Sequence, residues 1–222
     1  RPVATSILAL ILALSHRLRT KDTLTRTGRW AETTNHMGVG LTGKTVGTLG
    51  MGNIGSELFR LLAPLEMRHL AYDPYANPET ARTLGVSLVD KDTVMREADF
   101  VCINCPLTPE TRHLVSSREL ALMKPTATLI NLARGGIVDD AALAQALNGH
   151  ASIHAFAGDT DGIDGTEDNA GALLFPDTAA RAAQLGLSAK AMLANNDGYS
   201  YFEALNDLLV TGPTRTNVND YR

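Results

Sequence analysis

Arg134, in the stretch LINLARGGIVDD (129–140), is the residue that most demands a partner. A guanidinium keeps its proton at any ordinary pH, and burying it without an anion is costly. It follows a run of apolar, strand-like residues and directly precedes two glycines. That arrangement places a fixed cation at the end of a buried strand. Either it meets a ligand anion there, or it makes a plain salt bridge to Asp139 or Asp140.

The second constellation is VGTLGMGNIG, which carries G-x-G-x-x-G at Gly50, Gly52 and Gly55. Alone the pattern is weak, but here it follows a strand-like run and opens a helical one. Gly50 permits a tight turn, Gly52 lets the backbone approach a pyrophosphate, and Gly55 lets helix and sheet pack closely. The helix N-terminus adds unpaired N–H groups and a positive dipole end. Asp73, eighteen residues after Gly55 in LAYDPYA, completes the pattern. A carboxylate there accepts hydrogen bonds from ribose hydroxyls and repels a 2′-phosphate, which favours NAD over NADP. The plain alternative is a strand-to-helix turn with a solvated aspartate.

These residues need a scaffold, and the pattern supplies one. Strand-like runs (KTVGTLG, RHLAYD, VSLV, FVCINC, ATLINL) alternate with helical ones (NIGSELFRLLAPL, PETARTLG, KDTVMREAD, SSRELALM, DDAALAQALNG). ASIHAFAG is a last strand candidate. Strands apolar on both faces, separated by helices, predict an α/β fold with a doubly wound parallel sheet, a Rossmann-type dinucleotide-binding domain. Helix is also expected from about Val3 to Leu18, followed by a polar stretch with Gly28 and Trp30. After Gly158 the pattern degrades into the acidic, glycine-rich DTDGIDGTEDNAG, read as a loop. From Thr178 to Leu209 helix returns, with a break near NNDGYS. The expected division is 1–30 for a helix and arm, 31–165 for the dinucleotide domain, and 166–222 for a divergent helical segment. The second domain is thus incomplete or divergent.

Composition excludes some function classes. With 222 residues, 44% of them hydrophobic, the chain can bury one large core or one domain with part of another. A net charge of −4 without basic clusters argues against a nucleic-acid surface. Cys102 and Cys105 are the only cysteines, on opposite faces of one strand-like run. They make neither a disulfide framework nor, alone, a metal site, and a reducing cytoplasm is the expected setting. TSILALILALS is too short to span a membrane and reads as a buried helix; no signal peptide is visible.

The blocks LTGKTVGTLGMGNIG, AYDPYA, ADFVCINCPLTPETRHLV and ELALMKPTATLINLARGGIVDDAAL together resemble the NAD-dependent D-2-hydroxyacid dehydrogenase family, densely from about Val3 to Leu147. The resemblance implies hydride transfer between nicotinamide and a small 2-hydroxy or 2-keto acid. It assigns Arg134 to the substrate carboxylate and carbonyl oxygen, where a planar cation binds bidentately and stabilises oxyanion charge. Asn53 and Ile54 would offer N–H groups to the pyrophosphate. Asp73 and Pro74 would border the adenosine ribose. Cys105, Pro106 and Thr111 would line the cofactor beyond the phosphates, and Leu132 and Ala133 would border the nicotinamide. Allowing one inserted residue near Ser152, Asp159 matches the aspartate that contacts the carboxamide. Asp164 then takes the place of the glutamate that orients the catalytic histidine.

The pattern fails at that histidine, which exchanges a proton with the substrate oxygen. The matching stretch, LLFPDTAARAAQLGLSA, contains none, and Ala183 or Gln184 falls at its position. Gln184 can hydrogen-bond but cannot shuttle a proton near neutral pH. Of the histidines (His16, His36, His69, His113, His150, His154), only His154 lies near the last strand, and it reads better as a core or surface residue. The chain begins at Arg1, where the family's interdomain helix would start, so a piece of a longer protein is expected. Three readings follow: a dehydrogenase or a piece of one, impaired in catalysis; a non-catalytic NAD-binding module that dimerises or signals through occupancy; or a tail of altered sequence that folds poorly. The resemblance also implies a homodimer through the dinucleotide domain, with the segment around Trp30 as one arm.

Overall fold

The computed structural model describes residues 2–147, 155–158, 168–169, 171–174, 177–195 and 197–210. Its main body is a five-stranded sheet in the order β3-β2-β1-β4-β5, with every pair parallel. The strands are β1 (Thr45–Leu49), β2 (Arg68–Tyr72), β3 (Val86–Leu88), β4 (Phe100–Ile103) and β5 (Thr128–Asn131). The central strands β1 and β4 are buried along their whole length, as a parallel sheet covered on both faces requires.

Helices wind both faces. α1 (Pro2–Ser15) and α3 (Asn53–Leu62) cover one, burying Ile7, Ile11, Leu58, Phe59 and Leu62 with Val46, Ala71, Cys102 and Ile130. α5 (Lys91–Glu97) covers the other, where Val94 and Met95 pack with Leu49, Leu70, Val101 and Ile103. Neighbours Val101 and Cys102 thus enter opposite cores, the period-2 alternation of a strand. Short helices have local starts: Asn77 caps α4 (Pro78–Thr83) and Asp90 caps α5 through side-chain oxygens. Ser116 and Glu119 form a capping box on α6 (Ser117–Leu122). α7 (Asp140–Leu147) follows the Arg134 loop.

Three expectations are corrected. The polar stretch after Leu18 is not all irregular: α2 (Leu18–Arg26) follows a break at Arg17, whose φ is 52°, and bends by 62° from α1. No single helix among the described residues is long and apolar enough to cross a membrane. The last strand candidate does form a strand, β6 (Ala155–Gly158), but it leaves the parallel series. It pairs antiparallel with β7 (Gly171–Leu174), which pairs antiparallel with β8 (Leu208–Leu209). Its apolar run is equally compatible with either sheet, and pairing partners far along the chain decided the matter. The tail read as helical therefore contains strands as well. Its helical stretch is three pieces: α8 (Thr178–Gln184), α9 (Ala189–Ala194) and α10 (Gly198–Ala204). Gly186, at φ +72°, ends the first, and the Asp197 side chain caps the last.

Candidate dinucleotide and carboxylate site

The strand order reverses between β1 and β4, because the chain runs outward through β2 and β3 before returning. In such sheets the crevice outside the carboxyl ends at this switch point is where ligands bind. Every described residue selected for cofactor or substrate contact lies on a loop or helix start leaving the carboxyl end of β1, β2, β4 or β5.

The glycine turn is built by close approach. A Cβ on Gly50, whose φ is +101°, would fall 2.8 Å from the Asn104 carbonyl carbon and from the Cys105 nitrogen. A Cβ on Gly55 would fall 2.6 Å from the Gly50 carbonyl oxygen. At Gly52, by contrast, a Cβ would meet nothing within 4 Å, so this glycine faces open space. Gly52 is also the N-cap of α3 and offers no side-chain cap. The leading N–H groups, from Asn53 and Ile54 onward, are therefore left for an outside acceptor. Asn104 Nδ2, buried beneath this turn, has no hydrogen-bond partner. The two pressed glycines, the open one, the uncapped helix and the orphaned donor together fit a dinucleotide pyrophosphate.

Asp73 stands just after β2, and backbone donors hold its carboxylate. Oδ2 accepts from the Met51 N–H and Oδ1 from the Tyr75 N–H, both at 2.8 Å. Each oxygen retains a lone pair, so ribose hydroxyls can still be accepted. Pro74, beside it, is exposed. Cys105 is half-buried, and burial, with a smaller push from Asp73, raises its thiol pKa. Cys102 is fully buried, and desolvation pushes it up to about 12, so it is inert packing. Thr111 shapes the loop it sits on: its hydroxyl donates to the Pro106 carbonyl at 2.6 Å and accepts from the Thr108 N–H at 2.7 Å.

Leu132 and Ala133 are half-buried and pack on opposite core clusters. Arg134 is exposed, which corrects the expectation of a buried cation. Its Nη1 donates to the Ala133 carbonyl at 2.7 Å. Asp139, one of its alternative partners, is otherwise engaged. Its Oδ1 accepts from the Ala142 N–H at 3.0 Å, and its Oδ2 lies 3.7 Å from His113 Nδ1. The His113 N–H donates to the Gly136 carbonyl at 2.8 Å, and Val115 bridges Val138, so the loops after β4 and β5 are tied together.

Asp159 and Asp164 lie outside the described residues, as do His150 and His154. Ala183 and Gln184 are exposed on α8. His69 is core: it is 7% exposed and its ring lies 5.0 Å from that of Phe59. Asn104 and Asn131 were not selected from the sequence. Asn131 closes the β5 turn by accepting from the Ala133 N–H and donating to the Arg134 carbonyl, both at 3.0 Å. An asparagine at a strand end ahead of a turn was the available signal.

A family model described as "D-isomer specific 2-hydroxyacid dehydrogenase, NAD binding domain" matches residues 8–162. The chain belongs to this family. Its sheet, glycine turn and Asp73 are accordingly an NAD-binding domain. D-3-phosphoglycerate dehydrogenase of Synechocystis sp. is 33% identical over 216 residues, covering 96% of this chain and 37% of the relative. Glyoxylate reductase of Thermococcus litoralis is 40% identical over 145 residues, covering 63% of this chain and 44% of the relative. The structure of D-lactate dehydrogenase with NAD+ from Lactobacillus jensenii superposes with a TM-score of 0.61 at 31% identity, covering 68% of this chain and 45% of that one. The chain thus spans less than half the length of these relatives. A second family model, MOFRL, matches residues 121–220 and overlaps the first over 121–162. That second match takes in most of the tail.

Proposed function

We propose that the chain is the cofactor-binding part of a dehydrogenase that transfers hydride between nicotinamide and a small 2-hydroxy or 2-keto acid. The observation that carries this reading is convergence: the glycine turn, Asp73 and the Arg134 loop all leave the carboxyl ends of strands in one parallel sheet. NAD supplies the hydride chemistry when bound. Arg134 grips the substrate carboxylate and stabilises negative charge on the carbonyl oxygen. Leu132 and Ala133 exclude water beside it. By the family pattern, Asp159 is proposed for the carboxamide contact and Asp164 for the place of the glutamate that orients the catalytic histidine.

Proton transfer is the weak point. Ala183 or Gln184 falls at the position of the family's histidine in the sequence, and neither side chain exchanges a proton near neutral pH. The expected behaviour is binding with little turnover. Calorimetry should show NADH binding, and NADH oxidation with glyoxylate, pyruvate or hydroxypyruvate should stay near background. Absence of binding overturns the reading, and robust turnover overturns the impairment.

A second reading, an NAD-binding module that assembles through cofactor occupancy, draws support from the arm between α2 and β1. Trp30, Met37 and Val39 are 68%, 69% and 51% exposed there. The proposed assembly is a homodimer through the dinucleotide-binding domain, with this segment as one arm, and light scattering with and without NAD tests it. The proposed setting is cytoplasmic, supported by the free thiols of Cys102 and Cys105. Fractionation of cells that express the protein checks that placement.

A further inference from the structure

We propose that Asn131 is the positioning residue for the nicotinamide and carboxylate half of the site, an inference that rests on the NAD-dependent reading above. Asn131 is the last residue of β5 and is paired in register with Ile103 of β4, so its backbone is fixed by the sheet. From there its side chain bonds forward to both ends of the next turn. Oδ1 accepts from the Ala133 N–H and Nδ2 donates to the Arg134 carbonyl, each at 3.0 Å.

The peptide joining Ala133 to Arg134 lies between those two bonds. Its carbonyl oxygen, that of Ala133, accepts from Arg134 Nη1 at 2.7 Å. Asn131 therefore holds the peptide group that in turn holds the guanidinium. The same turn carries Leu132 and Ala133. On its far side the loop is anchored by buried Ile137 and Val138 and by the His113-to-Gly136 bond. On its near side the anchors are the strand itself and Asn131.

The residue type follows from the geometry. The two turn groups require one acceptor and one donor a short, fixed distance from the backbone. Aspartate supplies no donor when ionised, serine supplies a single oxygen, and glutamine adds a methylene. Asn131 meets neither cofactor nor substrate in this role. It acts through Leu132, Ala133 and Arg134.

The test separates the nicotinamide half of the ligand from the adenine half in the full chain. Calorimetric titrations with NADH and with ADP-ribose are compared for the wild type, Asn131→Ala and Asn131→Ser, with thermal unfolding alongside. Asn131→Ala is expected to weaken NADH roughly tenfold, from the loss of two hydrogen bonds, and to leave ADP-ribose within about twofold. Asn131→Ser is expected to recover part of the loss, because a hydroxyl can still accept from the N–H two residues on. Equal losses for both ligands would reduce Asn131 to a general structural role and overturn the proposal. So would an unchanged NADH affinity, or a serine variant no better than alanine. A wild type that binds ADP-ribose as tightly as NADH removes the nicotinamide contact and the proposal with it. One that binds neither overturns the NAD reading itself.

Discussion

The parallel sheet and the antiparallel tail solve the same problem with different means. The sheet is packed on both faces, and its two clusters bury large side chains such as Phe59, Leu58, Ile7, Met95 and Ile103 completely. In the tail, the described core is Ala182, Tyr201 and Leu205. Leu187, Ala189, Met192 and Phe202 pack against it, and polar bonds also tie the described tail elements together. Arg181 donates to the Leu205 carbonyl at 2.9 Å and to the nearly buried Asp207 carboxylate at 2.5 Å, and Thr178 also reaches Asp207 at 3.4 Å. The hydrogen bond to Asp207 is the main cause of a raised Arg181 pKa. The lesson is that the binding half rests mainly on apolar area, while the described tail elements combine a small apolar cluster with the bonds of Arg181 to Leu205 and Asp207.

The contrast can be broken by substitution. Phe59→Ala is expected to cost about 3–5 kcal/mol, because it opens a cavity under α3. Urea unfolding followed by circular dichroism should show it, and NADH binding should weaken with it. Arg181→Met is expected to cost up to about 3–5 kcal/mol within the tail, since it strands a buried carboxylate. Limited proteolysis should then cut within 177–210 while NADH affinity holds. If both regions fail together in either variant, they are one cooperative unit and the contrast is wrong.

Two pH effects sharpen it on the sheet side. Glu119, whose side chain is 5% exposed, lies 2.9 Å from Lys91 and accepts from Ser116 and Arg118. Burial pushes its carboxyl up, but those partners outweigh it and hold the pKa at about 2. Its contribution, about 3 kcal/mol, is fully present above the ordinary glutamate value and is lost as pH falls toward 2. The stability difference between wild type and Glu119→Gln, measured by urea unfolding, should shrink over that range. The smallest effect concerns His69. Burial lowers its pKa, against a weaker raising bond to Leu84. The unfolded chain therefore binds a proton that the folded chain resists, and stability should decline as pH falls below the ordinary histidine value. A His69→Leu variant with unchanged acid sensitivity would refute that.

Much of the binding half was legible because its signals are local. The glycine spacing, Asp73 at a strand end, the serine cap with Glu119 ahead of α6, and the alternation that sends Val101 and Cys102 into opposite cores all act within a few residues. The exposure of Arg134 was not legible, since burial depends on what packs over a loop. Nor was the destination of β6, because Ala155–Gly158 fits a parallel or an antiparallel partner equally well. The helix at Leu18–Arg26 was missed because its polar face hid the period.

The sequence by itself determined the alternating strands and helices, the dinucleotide turn and the absence of a histidine at the expected place in the tail. These follow from periodicity, backbone freedom and side-chain chemistry, which each residue carries with it. Only the tertiary structure decided which strands pair, that Asp73 is held by the N–H groups of Met51 and Tyr75, and that Asn131 spans the turn before Arg134. Those depend on distances between groups whose positions the packed sheet sets, and no local pattern encodes them.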